Sequence, residues 1–418
     1  MDTSKEKKNL PTLEEKGVPG TPARKKPTGV RSVRAATSSG RSGKGRTLQI
    51  TRIVGEVDRP FLIILTVLIC IGSVMVFSAS YPSAELNYGN SFYYAKRQLI
   101  FVLMGVIALM ITTVLADYRR LKRVSLTLFM FALALNVATA IPGIGLERNG
   151  ARRWLNIGID FQPSEVLKFA LILMCARHIS DNPDKMRNFK HGTMPFIILL
   201  GMSAATTVLQ SHLSCTIILC IIVFAMMWMG GTNKKLLIGT AVAGAGGLYI
   251  VLQNMAHSIR RFQVWLDPFS DLSGSGWQPV QSLYAISAGG FWGLGLGQSN
   301  QKHGYLPEPH NDYIFSILCE ELGYFGALIV ILLFALLVWR GYVIAKKAPN
   351  MYASLLVMGI MCSLAAHVIL NIAVVTNSVP STGIGLPFFS YGGTSLMIWM
   401  AEMGVVLAVS RYSYMEKE

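Results

Sequence analysis

The sequence predicts an all-α integral membrane protein, a bundle of ten transmembrane helices with a large structured outer loop between spans 7 and 8. Hydrophobic residues make up 52% of the 418 residues and charged residues only 14%, whereas soluble domains usually carry about 25% charged residues. Apolar runs of about 20 residues recur along the chain, each long enough to cross a hydrocarbon core of roughly 30 Å. Basic segments separate these runs on alternate sides, as expected of a multi-span membrane protein.

Ten apolar runs define the predicted spans. They lie at 61–80, 97–116, 123–141, 164–179, 193–210, 213–230, 235–254, 313–339, 352–375 and 393–410. Only Gln210, Ser211 and His212 interrupt the apolar character between the fifth and sixth spans. An even number of crossings places both termini on the same side of the membrane.

The basic residues orient this bundle. With the N-terminus inside, every inner loop contains Lys or Arg, as the positive-inside rule expects, and the outer segment 376–392 contains no charged residue. The inner-loop cations are Arg119, Arg120, Lys122, Arg123, Arg177, Lys185, Arg187, Lys190, Lys234, Lys235, Arg340, Lys346 and Lys347. Both termini are therefore predicted to be cytoplasmic.

The formal net charge of +16 is concentrated in the N-terminal region and in these loops, which argues against a nucleic-acid partner. Residues 1–59 hold 14 Lys and Arg against 6 Asp and Glu, with few large apolar side chains. We therefore expect a basic disordered tail at 1–58, a membrane domain at 59–411 and a short C-terminal tail at 412–418. The six cysteines lie inside apolar runs without a CxxC pair, so neither disulfides nor a thiolate metal site is indicated.

Two outer segments carry charges and aromatic residues that suggest a binding site. Residues 142–163 contain Arg152 and Arg153, and guanidinium groups at the outer surface suit a diphosphate, which they bind through forked hydrogen bonds. Residues 255–312 form a loop far longer than most, and it is rich in aromatic residues. These aromatic residues also fit an interfacial belt, but the loop as a whole is typical of a functional element.

Glu165 and Lys168 are ionisable groups at the outer start of the fourth span. A charge near lipid is costly, so such groups are candidates for function. Their three-residue spacing places both on one helix face, where they can pair. A structural ion pair that fixes bundle packing is the alternative to a role in substrate binding.

The segment LPEPHNDYIF places Glu308, His310 and Asp312 within five residues, where the long loop re-enters the membrane. The alternative role of Asp312 is that of an N-cap, since Asp commonly caps helices. His310 and the two carboxylates leave open a divalent cation, Mg²⁺ or Mn²⁺, although their spacing is not diagnostic of a metal site. No other cofactor is indicated.

Five sequence blocks, taken together, resemble the SEDS family of shape, elongation, division and sporulation proteins. The blocks are VFSAS (76–80), NGARRWLNIG with FQPSEVLK (149–168), WLDPFSD with GSGWQPVQSLYAISAGGFWGLGLGQSNQK (265–302), LPEPHNDYIF with EELG (306–323), and NIAVVTNSVPSTGIGLPFFSYGGTS (371–395). They occur in order over most of 59–411. The GQSNQK stretch and the basic tail are more similar to the family's division and sporulation members than to its elongation member.

The resemblance implies ten spans and a peptidoglycan glycosyltransferase that uses lipid II. It also implies a class B penicillin-binding protein, a single-span transpeptidase, as partner, alongside other membrane proteins of the division machinery. The family's essential outer-face aspartate corresponds to Asp312, which is the expected catalytic residue. The residues expected to bind substrate are Arg152, Arg153, Glu165, Lys168, Gln281, Ser282, Glu308 and His310.

Two positions depart from the family pattern. The family usually reads His-Thr-Asp where this chain reads His310-Asn311-Asp312, and the aspartate is kept. A QPDLGT-like element reads QSHLSCT here, at 210–216. His212 replaces an acid that some members carry, so no catalytic role is assigned to that position.

The expected reaction is an inverting glycosyl transfer without a nucleotide donor, and its expected setting in the cell is septal wall synthesis. The growing glycan on undecaprenyl diphosphate is the donor, lipid II supplies the acceptor 4-hydroxyl, and Asp312 is the general base. Arg152 and Arg153 stabilise the leaving diphosphate. The alternatives are a lipid II flippase, which also needs intramembrane charges, and a non-enzymatic scaffold of the division machinery.

Overall fold

Long apolar helices dominate the computed structural model, which describes residues 55–148, 151–156, 158, 160–253, 256–272 and 274–412. The helices are α1 (Arg59–Tyr88), α2 (Tyr93–Leu115), α3 (Tyr118–Ala140), α4 (Pro163–Asp181), α5 (Met194–Leu209), α6 (Leu213–Met229), α7 (Lys234–Gln253), α8 (Ala256–Leu266), α9 (Trp277–Gly289), α10 (Ile314–Lys346), α11 (Met351–Val375) and α12 (Gly393–Tyr412). Seven helical segments of this described part are long and apolar enough to cross a membrane. The chain is therefore a multi-pass membrane protein.

Each of the ten predicted spans coincides with a helix. Three of them, α4, α6 and α7, are not among the seven long apolar segments. The α6 helix has only 17 residues, and α4 contains Glu165 and Lys168 but buries most of its side chains in the bundle. The helical membrane class is confirmed, whereas the count of ten spans stays a prediction. The predicted tails, 1–58 and 412–418, lie almost entirely outside the described residues.

The N-terminal end of α1 is fixed to two other helices. The carboxylate of Asp58 caps α1 by accepting a hydrogen bond from the amide of Phe61 at 3.0 Å, as an N-cap residue should. The same carboxylate pairs with the guanidinium of Arg340 on α10 at 2.8 Å. Next to it, the amide of Gly55 donates to the carbonyl of Arg411 on α12 at 3.0 Å. The first and last described residues of the chain therefore lie close together, on the same face of the bundle.

A small antiparallel sheet connects α3 to α4, within the charged segment 142–163. Its strands, in the order β1-β2-β3, are β1 (Gly145–Arg148), β2 (Ala151–Asn156) and β3 (Asp160–Phe161). The sheet is not predictable from the sequence, because strands of two to six residues leave almost no periodic signal. The sheet matters because β2 carries Arg152 and Arg153.

The long segment between α7 and α10 is structured, as predicted. It contains α8, a 3₁₀ turn at Pro268–Asp271 and α9, and then a stretch of turns and bends that leads to Asp312. The α9 helix packs against α10 and α11. The indole N–H of Trp265 donates to the carbonyl of Asn377 at 3.0 Å, which joins α8 to the segment 376–392. Both long connections therefore meet at one end of the bundle, the predicted outer end.

The α10 helix is broken at Gly323, whose φ of 69° and ψ of −174° are not helical and are essentially restricted to glycine. The break releases the carbonyls of Glu320 and Glu321 from the helical ladder. They accept hydrogen bonds from the amides of Leu294 and Gly295, each at 3.0 Å. The glycine-rich stretch of the loop therefore replaces the missing helical partners, as a buried break requires.

A buried ion pair holds the GQSNQK stretch against the same helix. The ammonium of Lys302 lies 2.7 Å from the carboxylate of Glu321, and both side chains are fully buried. The hydroxyl of Ser78 on α1 donates to this carboxylate at 2.6 Å. The neighbouring carboxylate of Glu320 accepts from the amide of Asn300 at 2.9 Å. These two glutamates thus position the outer loop.

Candidate active site

Asp312 lies two residues before α10, where three connections converge. Its backbone carbonyl accepts a hydrogen bond from the side-chain amide of Asn371 on α11 at 2.8 Å, and this amide also donates to the carbonyl of Ile384 at 2.6 Å. Asn371 therefore fixes the start of α10 beside the segment 376–392. A Cβ atom built on Gly383 of that segment would lie 3.3 Å from Oδ2 of Asp312. The glycine leaves room in front of the carboxylate.

Asp312 is half-buried, and its carboxyl is surrounded mostly by protein. Burial raises its pKa to about 6, and the negative charge of Glu308 raises it further, whereas Arg153 and Arg261 lower it. No described side chain forms a salt bridge with it. An unpaired carboxyl with a pKa close to neutral pH suits a general base.

Arg153 projects from β2 towards Asp312. One of its terminal nitrogens donates to the carbonyl of Ser211 at 2.6 Å, at the interruption between α5 and α6, where Ser211 has a φ of 54°. Its Nε is buried with no acceptor among the described residues. Burial and the charge of Arg261 lower the pKa of Arg153, and Asp312 counteracts this. A positioned guanidinium with an unused donor suits a bound anion.

Arg152 points to the other side of the sheet. Consecutive residues of a strand face opposite ways, and the register of β1 and β2 places Arg152 opposite Glu147. The two side chains form an ion pair at 2.9 Å, at a partly exposed position. The structure therefore brings Arg153, and not Arg152, to Asp312.

Arg261 on α8 supplies a second cation near Asp312 and was not among the predicted site residues. Its guanidinium donates to the carbonyl of Ser381 at 3.4 Å. It is close enough to Asp312 and Arg153 for its charge to lower the pKa of both. Its sequence signal was the same as that of Arg153, a positive charge on the predicted outer side. Its closeness to Asp312 results from the fold, which places α8 against the segment 376–392.

Glu308 and His310 occupy different environments. Glu308 is exposed with a φ of 46°, and it accepts a hydrogen bond from the side chain of Asn311 at 2.8 Å. His310 is buried between the rings of Tyr94 and Tyr391, with centroid distances of 4.4 and 5.6 Å. Burial lowers the pKa of His310 to about 4, so the imidazole is neutral at pH 7.

The predicted pairing of Glu165 with Lys168 is present in the structure. The Lys168 ammonium lies 2.8 Å from the Glu165 carboxylate and 2.6 Å from Nε2 of His367 on α11. The His367 ring also packs edge-on against Trp399, at 5.0 Å. His367 was missed in the sequence, although an ionisable residue inside a span was the signal that could have found it. Both the structural and the substrate-binding role of Glu165 and Lys168 stay predictions.

His212 links this buried pair to the region of Arg153. It is buried at the N-terminal end of α6, and its Nδ1 has no partner among the described residues. Burial lowers its pKa well below the usual value, and the charges of Arg153 and Lys168 lower it further. A neutral imidazole therefore lies near both cations, at the position where some members of the resembled family carry an acid.

Gln281 and Ser282 lie on the buried face of α9. The hydroxyl of Ser282 lies 2.6 Å from the hydroxyl of Ser316 on α10 and donates to the carbonyl of Val375 on α11 at 2.7 Å. These bonds fix α9 between α10 and α11. The predicted role of both residues in substrate binding is untested, and the contacts of Ser282 are those of helix packing.

The comparisons with known proteins agree with this architecture. The FtsW/RodA/SpoVE family of cell cycle proteins matches residues 59–415. The stage V sporulation protein E of Bacillus subtilis is 40% identical over 357 residues, which cover 85% of this chain and 97% of that protein. A probable peptidoglycan glycosyltransferase FtsW of Trichlorobacter lovleyi is 36% identical over 358 residues, covering 85% and 94%.

Two solved structures share the fold. A chain of a peptidoglycan synthase complex that coordinates polymerization and crosslinking has a TM-score of 0.71 and 27% identity, and the match covers 86% of this chain and 98% of that chain. The rod shape determining protein RodA of Thermus thermophilus has a TM-score of 0.64 and 24% identity over the same shares. The chain therefore belongs to the FtsW/RodA/SpoVE family of cell cycle proteins, and the predicted SEDS membership is confirmed.

Proposed function

We propose that this protein is a peptidoglycan glycosyltransferase that joins lipid II disaccharides into glycan strands on the outer face of the bacterial cytoplasmic membrane. Relatives that are 36% identical over nearly their whole length carry the name of this activity. The observation that carries the proposal is the carboxyl of Asp312, which forms no salt bridge with a described side chain and lies beside Arg153 and Arg261 at one end of a membrane bundle. This end also receives both long connections of the chain.

In the proposed reaction, Asp312 removes the proton from the 4-hydroxyl of the lipid II acceptor. The hydroxyl oxygen forms a bond to the anomeric carbon of the donor glycan, and the bond from that carbon to the diphosphate oxygen breaks. The configuration inverts, and undecaprenyl diphosphate leaves with the electron pair of the broken bond. General bases typically contribute about 10²–10⁴-fold to such a step.

Arg153 and Arg261 would stabilise the charge that develops on the leaving diphosphate. Both side chains are oriented by backbone carbonyls, those of Ser211 and Ser381. Such pre-positioned donors need little reorganisation in the transition state, which is the condition for effective electrostatic stabilisation. The unused Nε of Arg153 provides one donor for the diphosphate.

A divalent cation would take most of its ligands from the substrate. No group of three His, Cys, Asp or Glu side chains suited to a metal occurs among the described residues. Mg²⁺ commonly binds through one or two carboxylates together with phosphate oxygens and waters. Glu308 and Asp312 are the carboxylates at this end of the bundle that could contribute, so the residues fit a substrate-bridging cation rather than a protein-enclosed one.

The proposed function also implies where the protein is located in the cell and which proteins it binds. The meeting of Gly55 with Arg411 supports an even number of crossings, with both termini on the cytoplasmic side. The similarity to a chain of a peptidoglycan synthase complex supports a class B penicillin-binding protein as the transpeptidase partner. The match to a family of cell cycle proteins supports a place at the division septum with other membrane proteins of that machinery.

The alternative of a lipid II flippase predicts broken helices that line a ligand path. The break found in α10, at Gly323, is filled by the backbone of residues 290–295 instead of opening to a cavity. The ionisable groups near Asp312 lie at the outer connections and not along such a path. These contacts favour an enzyme.

The proposal is tested with purified full-length protein in liposomes that contain lipid II. The wild type should form glycan strands, and Asp312→Asn should lose at least about 100-fold of the rate. The control is Asp271→Asn, since Asp271 is another outer-loop acid but pairs with Arg260 at 2.9 Å; it should keep its activity. Glycan strands from Asp312→Asn at the wild-type rate would exclude the assigned base. Movement of lipid II between leaflets without polymer would indicate a flippase.

A further inference from the structure

The connection between α11 and α12 forms one wall of the candidate active site. Its Gly383 is exposed and has a φ of 70°. Apart from the glycine's chain neighbours, a Cβ atom built there would meet only one atom of the described residues within 4 Å, Oδ2 of Asp312 at 3.3 Å. The backbone of Gly383 and the carboxylate of Asp312 therefore face the same open space, which a side chain at this position would enter.

This wall is fixed to the stretch that carries the carboxylate. The three consecutive carbonyls of residues 310–312 each accept a hydrogen bond from the wall or from α11. The amide of Tyr391 and the hydroxyl of Ser390 donate to the first two, each at 2.8 Å, and the side-chain amide of Asn371 donates to the third, also at 2.8 Å. The backbone therefore sets the distance between the wall and Asp312.

Two carbonyls of the wall point into the helix bundle. The carbonyl of Thr382 accepts a hydrogen bond from the hydroxyl of Ser214 on α6, and the carbonyl of Ile384 accepts one from a side-chain amide of α11 at 2.6 Å. These peptide units are trans, and the N–H and C=O of a planar trans unit point in opposite directions. The amides of Gly383 and Gly385, which belong to the same two units, therefore point away from α6 and α11.

These two amides are donors that the protein itself does not use. Neither of them donates to an acceptor among the described residues, whereas the next amide, that of Leu386, donates to the hydroxyl of Ser390 at 2.6 Å. Gly383 is exposed and Gly385 is half-buried, so a ligand can approach both. Main-chain N–H groups require an acceptor, and oxygen atoms of a bound substrate would supply it at this wall.

The carboxylate beside these amides indicates which part of the substrate they suit. A diphosphate placed against Gly383 would lie next to the negative charge of Asp312, and this repulsion grows as water is excluded. Sugar hydroxyls and N-acetyl carbonyls accept hydrogen bonds without carrying a charge. Backbone N–H groups commonly fix the orientation of such polar ligands. The two amides therefore suit a sugar, while Arg153 and Arg261 remain the cations for the diphosphate.

We propose that the main-chain amides of Gly383 and Gly385 bind the acceptor sugar of lipid II and hold its 4-hydroxyl at Asp312. This assignment rests on the proposed function, in which Asp312 removes the proton of that hydroxyl. The missing side chain at position 383 leaves the approach to Oδ2 open. The wall between α11 and α12 thus provides the acceptor side of the site without any charged group of its own.

The first test measures hydrogen–deuterium exchange of the full-length protein. Saturating lipid II, added to Asp312→Asn so that it is not consumed, should slow exchange of the amides in 381–385 at least about tenfold. The outer connection 89–92 is the reference and should not change. Undecaprenyl diphosphate, which lacks the sugar, should leave 381–385 unchanged in both the wild type and Asp312→Asn. Slowing by undecaprenyl diphosphate, or unchanged exchange with lipid II, would overturn the proposal.

The second test measures initial polymerisation rates over a range of lipid II concentrations. Gly383→Ala places a methyl group in front of the carboxylate, so kcat/KM should fall about 100-fold. The matched control is Gly89→Ala, since Gly89 has a φ of 61° and a Cβ atom there meets no described atom within 4 Å. Both variants should lose a similar, small amount of melting temperature, and Gly89→Ala should keep its rate. Equal rates in the two variants would overturn the proposal.

The exchange measurement needs no substitution in the wall, so it decides the proposal even where Gly383→Ala fails to fold. The two tests also separate this subsite from the proposed function. A wild type that forms no glycan strands, although lipid II slows exchange in 381–385, would contradict the proposed reaction and leave the sugar subsite in place. Strand formation without slower exchange would contradict the subsite alone.

Discussion

Arg152 and Arg153 are consecutive residues of one strand, yet only Arg153 lies close enough to Asp312 for its charge to lower the pKa of that carboxyl. Arg152 pairs with Glu147 across the sheet at 2.9 Å. Arg153 is held by the carbonyl of Ser211 at 2.6 Å. The alternation of a β-strand therefore gives two identical side chains different surroundings.

The two arginines should differ in their effect on catalysis. Arg153→Gln removes a positioned cation next to the leaving diphosphate, so the polymerisation rate should fall about 100-fold. Arg152→Gln removes only a partly exposed ion pair, which contributes at most about 1 kcal/mol, and should cost less than about threefold. Rates with purified lipid II measure both. Equal losses would contradict the assignment of the diphosphate to Arg153.

The polymerisation rate should depend on pH through Asp312. The proposed base must be ionised, and its pKa is raised to about 6, so the rate should rise tenfold per pH unit below about pH 6 and level off above it. Glu308 raises this pKa and Arg153 lowers it. Glu308→Gln should therefore shift the midpoint of the profile down, and Arg153→Gln should shift it up. A rate that is flat from pH 5 to 8 would contradict this role.

The pair of Lys302 and Glu321 should contribute strongly to the stability of the outer loop. Both side chains are fully buried, and removing one partner of such a pair typically costs about 3–5 kcal/mol because the other charge stays buried. Lys302→Met should therefore lower the melting temperature and expose residues 290–305 to protease.

The double variant Lys302→Met with Glu321→Met tests whether the outer loop needs the two buried charges or only side chains that fill the same space. Replacing both charges by apolar side chains removes the unpaired charge, so much of the stability should return. Melting temperature and protease resistance, measured in the same detergent, give the comparison. A double variant that is less stable than either single variant would show that the loop depends on the ion pair itself.

Gly323 should not tolerate a side chain. Its backbone conformation is nearly restricted to glycine, at a cost of about 1–3 kcal/mol for other residues, and a Cβ atom there would collide with the amide nitrogen of Gly293. Gly323→Ala should therefore detach the loop from α10 and abolish polymerisation. The control is Gly246→Ala on α7, where a Cβ atom meets no other atom within 4 Å. It should be neutral or slightly stabilising, as alanine favours a helix, and a melting temperature of Gly323→Ala equal to that of this control would refute the argument.

Hydrophobicity and charge in the sequence were sufficient to predict the membrane class, the positions of the helices and the pair of Glu165 with Lys168. A span of apolar residues and a three-residue spacing are local properties, and local properties survive any arrangement of the helices. The family motifs added Asp312 and the expected reaction. The short sheet was not predicted, since its strands are held by pairing and by the packing of α3 and α4 instead of by their own sequence.

The sequence by itself determined that this chain crosses a membrane repeatedly and that an acid stands at the start of α10. Only the tertiary structure decided which cations accompany that acid, because Arg153 reaches it from a strand and Arg261 from a helix about 50 residues before Asp312 in the chain. The tertiary structure likewise showed that Glu320 and Glu321 hold the outer loop in place and that Ser282 joins packed helices. Chain order specifies each residue's neighbours in sequence, whereas the charge that acts on a carboxylate depends on distance in space.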